Sequence, residues 1–144
     1  MINPEKLFSR QIMAFGTEGQ KALMNTRVAV VGAGGLGSCV LQMLSYLGVQ
    51  EFMIADDDLV EESNLNRLIG ASIEDVKNKV RKTELAKMLI IKINPKANII
   101  TLGNLRSDEA IKDLSTFPEV IFGCVDNDSA RMMLSDLAAA YEKI

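Results

Sequence analysis

Histidine is missing from all 144 residues of the chain. That absence excludes a Ser-His or Cys-His couple and any imidazole metal site. Cysteine is nearly missing too: Cys39 and Cys124 stand far apart, each in an apolar stretch. Two thiols cannot build a four-cysteine zinc site, and a disulfide between them is not expected in a reducing compartment. Both read as small buried hydrophobes. No apolar run approaches the roughly 18 residues that a membrane helix needs. The opening "MINPEKLFSR" has no apolar core of a secretory signal. The expectation is a cytoplasmic chain with no membrane partner. An excess of basic charge is lacking as well: 16 Lys and Arg face 19 Asp and Glu, so no field draws nucleic acid. Without repeats, low-complexity tracts or linkers, residues 1–144 read as one domain.

What is present is an alternation of strand-like and helix-like patterns. "RVAVV" (27–31), "EFMIA" (51–55), "NIITL" (98–102) and "EVIFGCV" (119–125) read as buried strands. Between them fall helices over 35–47, about 74–92, 107–115 and 128–142, preceded by one over 17–25 with Thr17 and Gln20 as a capping box. On the 35–47 helix, Leu36, Val40, Leu41, Met43, Leu44 and Leu47 form the apolar side. Such alternation predicts an α/β, Rossmann-like, doubly wound and mainly parallel sheet with helices on both faces. A ligand site is then expected beyond the C-terminal ends of the first and fourth strands.

The stretch "VAVVGAGGLGS" (28–38) runs such a strand into the pattern Gly32-x-Gly34-x-x-Gly37. Glycines permit a tight turn and close backbone approach to a pyrophosphate, and the next helix aims its first amides at the charge. Asp56, 24 positions after Gly32 at a strand end, is placed to hold a ribose. Locally this is a dinucleotide fingerprint. The polar loop behind it argues otherwise: Asn64, Asn66 and Arg67 follow the ribose acid, and the basic segment "KNKVRK" comes next. Asp126 arrives at the switch point at the end of the fourth strand, a place to hold magnesium on a triphosphate. Cations and an acid around one phosphate site suit phosphoryl or nucleotidyl transfer better than hydride transfer.

Five stretches occur in order: "FSRQI…FGTEGQ" (8–20), "VVGAGGLGS" (30–38), "D-x-D-x-V-x-x-SNLNR" (56–67), "INP" (93–95) and "DN-x-x-x-R" (126–131). Together they resemble the adenylation domain of the ubiquitin-activating-enzyme superfamily, near the bacterial ThiF/MoeB/HesA proteins. The resemblance implies ATP-dependent adenylation of the C-terminal glycine of a small ubiquitin-fold sulfur carrier ending in Gly-Gly. By motif it places Gly32, Gly34, Gly35 and Gly37 around the phosphates and Asp56, with Asp58 beside it, at the ribose. It places Asn64, Asn66 and Arg67 on the loop that closes over ATP, and Asp126 with Asn127 at the metal and phosphate end, Asp126 holding Mg2+. It also implies a homodimer in which Arg10 enters the partner's site. Arg67, Lys82, Asp126 and Arg10 would act in the reaction. Counting back from "INP" selects Lys82 as the phosphate lysine, with Lys79 as its rival. Two departures stand: Leu68 replaces the usual glutamine, and the family continues where this chain ends, so an N-terminal part is expected. Two other readings carry different chemistry: a catalytically inactive nucleotide-binding scaffold, and an NAD-dependent oxidoreductase.

Overall fold

A computed structural model describes residues 3–105 and 107–144. After the short α1 (Pro4–Leu7) and the long α2 (Ser9–Asn25), the chain enters β1 (Arg27–Val31), α3 (Gly35–Leu47) and β2 (Glu51–Ala55). It continues through α4 (Ile73–Lys77), α5 (Lys82–Ile93), β3 (Asn98–Leu102), α6 (Asp108–Thr116), β4 (Val120–Gly123) and α7 (Asp128–Ala140). All strand pairs are parallel, in the order β3-β2-β1-β4. The expected doubly wound α/β fold is therefore present. The chain moves outward from β1 to β3 and then returns to the other side of β1, so the C-terminal ends of β1 and β4 diverge at a switch point.

The central strands β1 and β2 bury both faces because successive side chains point oppositely, while the edge strands β3 and β4 are half-buried. Val28, Val30, Phe52 and Ile54 meet α3 and α5 through Leu41, Leu44, Ala86 and Ile90. Ala29, Val31, Met53 and Ala55 meet α6 and α7 through Leu114, Leu134 and Leu137. The side of α3 that packs is Gly37, Ser38, Leu41, Leu44 and Ser45. Leu36 and Met43, expected on the apolar packing side, are instead 64% and 67% exposed. Small residues take that inner face because the helix starts close against the β1 turn.

The helix expected over 74–92 is broken. Lys79 adopts a left-handed φ of 52°, and residues 80–82 pair with the chain leaving β2. Val60 N–H donates to Val80 O, Lys82 N–H donates to Asp58 O, and Leu59 bridges Arg81. Val60, Leu68 and Leu85 close a small apolar cluster beneath this junction. Helix α2 also departs from expectation, starting at Ser9 and kinking at Gly16. Gln20 forms no capping box: its Oε1 has no hydrogen-bond partner among the described residues, and its Nε2 donates to Leu47 O at the end of α3.

Candidate functional site

Beyond the switch point lies a cleft of about 530 Å³, the size of a small-molecule site. Its floor is the turn after β1. Gly32 has φ +93°, and a Cβ there would lie 2.6 Å from Cys124 O. A Cβ at Gly37 would lie 1.9 Å from Gly32 O. These two glycines let the turn, β4 and α3 close on one another. Gly34 differs, since nothing lies within 4 Å of its absent side chain, and it lines the cleft with Gly32 and Gly35. Open space over a backbone at a helix N-terminus is where a phosphate can approach. Gly37 serves packing and is not among the lining residues.

Asp56 is 8% exposed at the end of β2. Its Oδ2 accepts Ala33 N–H at 2.7 Å and its Oδ1 accepts Asp58 N–H at 2.9 Å. Burial pushes its pKa up, and the two N–H bonds and the Lys82 charge oppose that rise. Each carboxylate oxygen keeps a second lone pair for a hydroxyl. Lys82, whose side chain is 12% exposed, donates from Nζ to Asp58 Oδ2 at 2.6 Å. The break at Lys79 makes Lys82 the first residue of α5 and turns it to the cleft. Lys79 is exposed and lies outside the lining, so of the two rivals the fold brings Lys82 to the site.

The loop after β2 makes a 3-10 turn at Glu62–Asn64. Asn64 is buried; its Oδ1 accepts Glu61 N–H and its carbonyl accepts Arg67 and Leu68 N–H. The stem of Arg67 lies over Gly35, and its guanidinium donates to Ser63 O and Asn66 Oδ1. Asn66 itself stands outside the lining, steadying Arg67 from behind. Ser38, which sequence reasoning had not singled out, is 2% exposed and bonds this loop through Ile69 N–H. Only its membership of the glycine stretch signalled it.

On the far wall Asp126 is exposed and Asn127 caps α7, its Oδ1 accepting Ala130 N–H at 2.8 Å. Arg131 also lines the cleft, donating to Val125 O and to Asp128. Asp56, Asp57, Asp58 and Asp126 thus face Arg67, Lys82 and Arg131. Carboxylate oxygens of this kind fit a hard divalent cation such as magnesium. Asp56, Asp57 and Asp58 bring carboxylate oxygens within 4.8 Å of one another, Asp56 and Asp58 being also engaged by backbone N–H and Lys82. Asp126, the metal donor expected from the sequence, lines the same cleft outside that group. Arg10 lies on α2, exposed and away from the lining of its own cleft.

The cysteines divide. Cys124 lines the cleft half-buried, and burial pushes its thiol pKa up. Cys39 is exposed on α3, which corrects the expectation of two buried thiols. It falls on the outer side because the inner positions of that helix turn are Gly37, Ser38 and Leu41. No helix among the described residues is long and apolar enough to cross a membrane.

With this geometry in place, the sequence profile of the ThiF family matches residues 8–144. The chain belongs to the ThiF family. Among relatives with that domain, the SAMP-activating enzyme E1 of Haloferax volcanii is 34% identical over 132 residues, covering 90% of this chain and 48% of its own length. The sulfur carrier protein ThiS adenylyltransferase of Escherichia coli is 31% identical over 135 residues, covering 92% of this chain and 53% of its own. The chain spans about half the length of these curated relatives. In structure, the ThiF-type fold is shared with the E. coli tRNA N6-threonylcarbamoyladenosine dehydratase TcdA, solved in complex with ATP. The TM-score is 0.88 at 20% identity, over 99% of this chain and 59% of that one.

Proposed function

We propose that this chain, as a single cytoplasmic nucleotide-binding domain, binds ATP with magnesium. It would transfer AMP to the C-terminal glycine carboxylate of a small ubiquitin-fold sulfur carrier ending in Gly-Gly. The observation that carries this reading is that Arg67 and Lys82 line one cleft with the open backbone of Gly34 and with Asp56 and Asp126. Hydride transfer builds no new negative charge on phosphorus oxygens, so its chemistry does not call for such paired cations. The names of the relatives, an activating enzyme and a sulfur-carrier adenylyltransferase, support the same class.

The chemistry asks little of protein side chains as acids or bases, in keeping with a chain without histidine. A carboxylate oxygen of the carrier attacks the α-phosphorus, the bridging α–β P–O bond breaks, and pyrophosphate departs with that electron pair. The product is a carboxyl–AMP anhydride. Gly34 N–H and its neighbours hold phosphate oxygens, and Asp56 accepts a ribose hydroxyl on its remaining lone pairs. Arg67 and Lys82 meet the negative charge that builds on the oxygens of phosphorus, as preorganised cations. Asp126 would hold magnesium, which supplies further charge neutralisation to the departing pyrophosphate. Arg10 is proposed to complete the site from a second copy of the chain in a homodimer.

Thermal shift tests the nucleotide, because a ligand that binds the native state raises its melting temperature. ATP with magnesium should stabilise the chain and NAD should not. Stabilisation by NAD as strong as that by ATP would overturn the proposal. Transfer is tested by carrier-dependent ATP–pyrophosphate exchange. In that assay, Arg10→Ala and Asp126→Ala, each inactive alone, should regain activity when mixed. No recovery in a mixture shown to exchange subunits would remove the second-copy role of Arg10.

A further inference from the structure

We infer that Ser38 is a positioning residue that sets Arg67 over the phosphate turn, an inference that rests on the phosphate role proposed for Arg67. Ser38 sits in the first turn of α3, 2% exposed, with its hydroxyl engaged on both sides. It donates to Gly35 O at 2.9 Å and accepts Ile69 N–H at 3.2 Å. Gly35 is the residue over which the aliphatic stem of Arg67 lies, 3.2 Å from where a Cβ would be. Ile69 stands two positions beyond Arg67 on the same loop. One hydroxyl therefore ties the helix that presents the glycine turn to the loop that carries the cation.

The contrast within α3 sharpens the assignment. Ser45 is equally buried, at 3% exposed, but its hydroxyl donates back to Leu41 O inside the helix, at 2.7 Å. Such a back-bond needs no neighbour and is the ordinary fate of a helical serine. Ser38 makes a like back-bond to Gly35 O, and its oxygen in addition accepts Ile69 N–H from a loop 31 positions on, which Ser45 has no counterpart for. Among the described residues the guanidinium of Arg67 is held only by its own loop, at Ser63 and Asn66, so its place relative to the turn depends on where the loop is pinned. Removing the hydroxyl leaves the stem of Arg67 in contact with Gly35 but lets the loop shift outward.

The test is a double-mutant cycle on the full chain, read by calorimetric binding of ATP with magnesium and, separately, of adenosine. Ser38→Ala should weaken ATP about 3- to 10-fold, the scale of one lost hydrogen bond, while adenosine binds as to wild type. In an Arg67→Ala background, Ser38→Ala should cost nothing more. Ser45→Ala should leave both ligands unchanged. Additive losses from Ser38→Ala and Arg67→Ala, or equal weakening of ATP and adenosine, would overturn the assignment while leaving Arg67 at the phosphates. If Arg67→Ala binds ATP like wild type, both readings fall together. Should Ser38→Ala not fold, Ser38→Cys replaces it, since sulfur is a poorer acceptor at the same place. The same dependence on Arg67 is then required.

Discussion

Lys82 Nζ and Asp58 Oδ2 are 24 positions apart in the chain and 2.6 Å apart in space. The contact exists because Lys79 turns left-handed and ends α4 before α5 begins. Lys82→Ala should therefore abolish most of the melting shift produced by ATP, whereas Lys79→Ala should retain it. A loss of the shift in both variants, or only in Lys79→Ala, would reverse the choice between them.

Lys79 also supports a stability prediction. A non-glycine residue in the left-handed region costs about 1–2 kcal/mol, and its φ is 52°. Lys79→Gly should relieve about 1 kcal/mol of that cost after the entropy of the added glycine is counted. A urea melt measures the gain, and a destabilised variant would show that the lysine side chain contributes contacts that outweigh the strain.

The two ends of the glycine motif should separate folding from binding. Gly32→Ala meets both a φ of +93° and the Cys124 carbonyl, and should cost on the order of 3 kcal/mol. Gly34→Ala points into open space and should cost about 1 kcal/mol at most, through a poorer N-cap, yet weaken ATP binding sharply. Denaturant unfolding beside ATP titration distinguishes the two. Equal stability losses with unchanged ATP affinity would mean that the turn serves packing alone.

Thiol labelling should split the cysteines. Cys39 is exposed and should react fast under native conditions. Cys124 is half-buried with a raised pKa and should react slowly. Because Cys124 lines the cleft, ATP should slow it further and leave Cys39 unchanged. Nucleotide protection of Cys39 alone would place the ligand elsewhere.

Asp56 makes stability depend on pH in a definite direction. Burial raises its pKa in the native state above the unfolded value. The protonated form therefore favours the fold, and this contribution is full below the unfolded pKa and lost as pH rises through the native one. The stability of wild type relative to Asp56→Asn should fall between about pH 4, near the ordinary Asp value, and neutrality. Urea melts across that range read the difference, and a flat or rising one would mean that the N–H bonds from Ala33 and Asp58 outweigh burial.

Strand positions, sheet class and the location of the cleft were legible because buried parallel strands are short apolar runs and the glycine turn has a fixed chemistry. The break at Lys79 was not legible. Residues 74–92 keep a helical apolar pattern, and it is the pairing of Val80 and Arg81 with Val60 and Leu59 that ends the first helix. The exposure of Cys39, Leu36 and Met43 was hidden for a related reason: α3 is apolar on every side, so periodicity could not say which side meets the sheet. Ser38 was invisible because its partner, Ile69 N–H, is a backbone group that any residue supplies.

The kinked α2 is fastened to the far end of α3, where Gln11 Nε2 donates to Tyr46 O and Gln20 Nε2 to Leu47 O. By helix rise the 13 residues of α3 make a strut of about 20 Å. The glycine turn is at one end and the arm bearing Arg10 is anchored at the other. Damage at the anchored end changes the direction in which that arm projects and leaves the turn itself in place. Variants at Gln11 or Gln20 are thus the means to test the partner role proposed for Arg10 separately from the cleft.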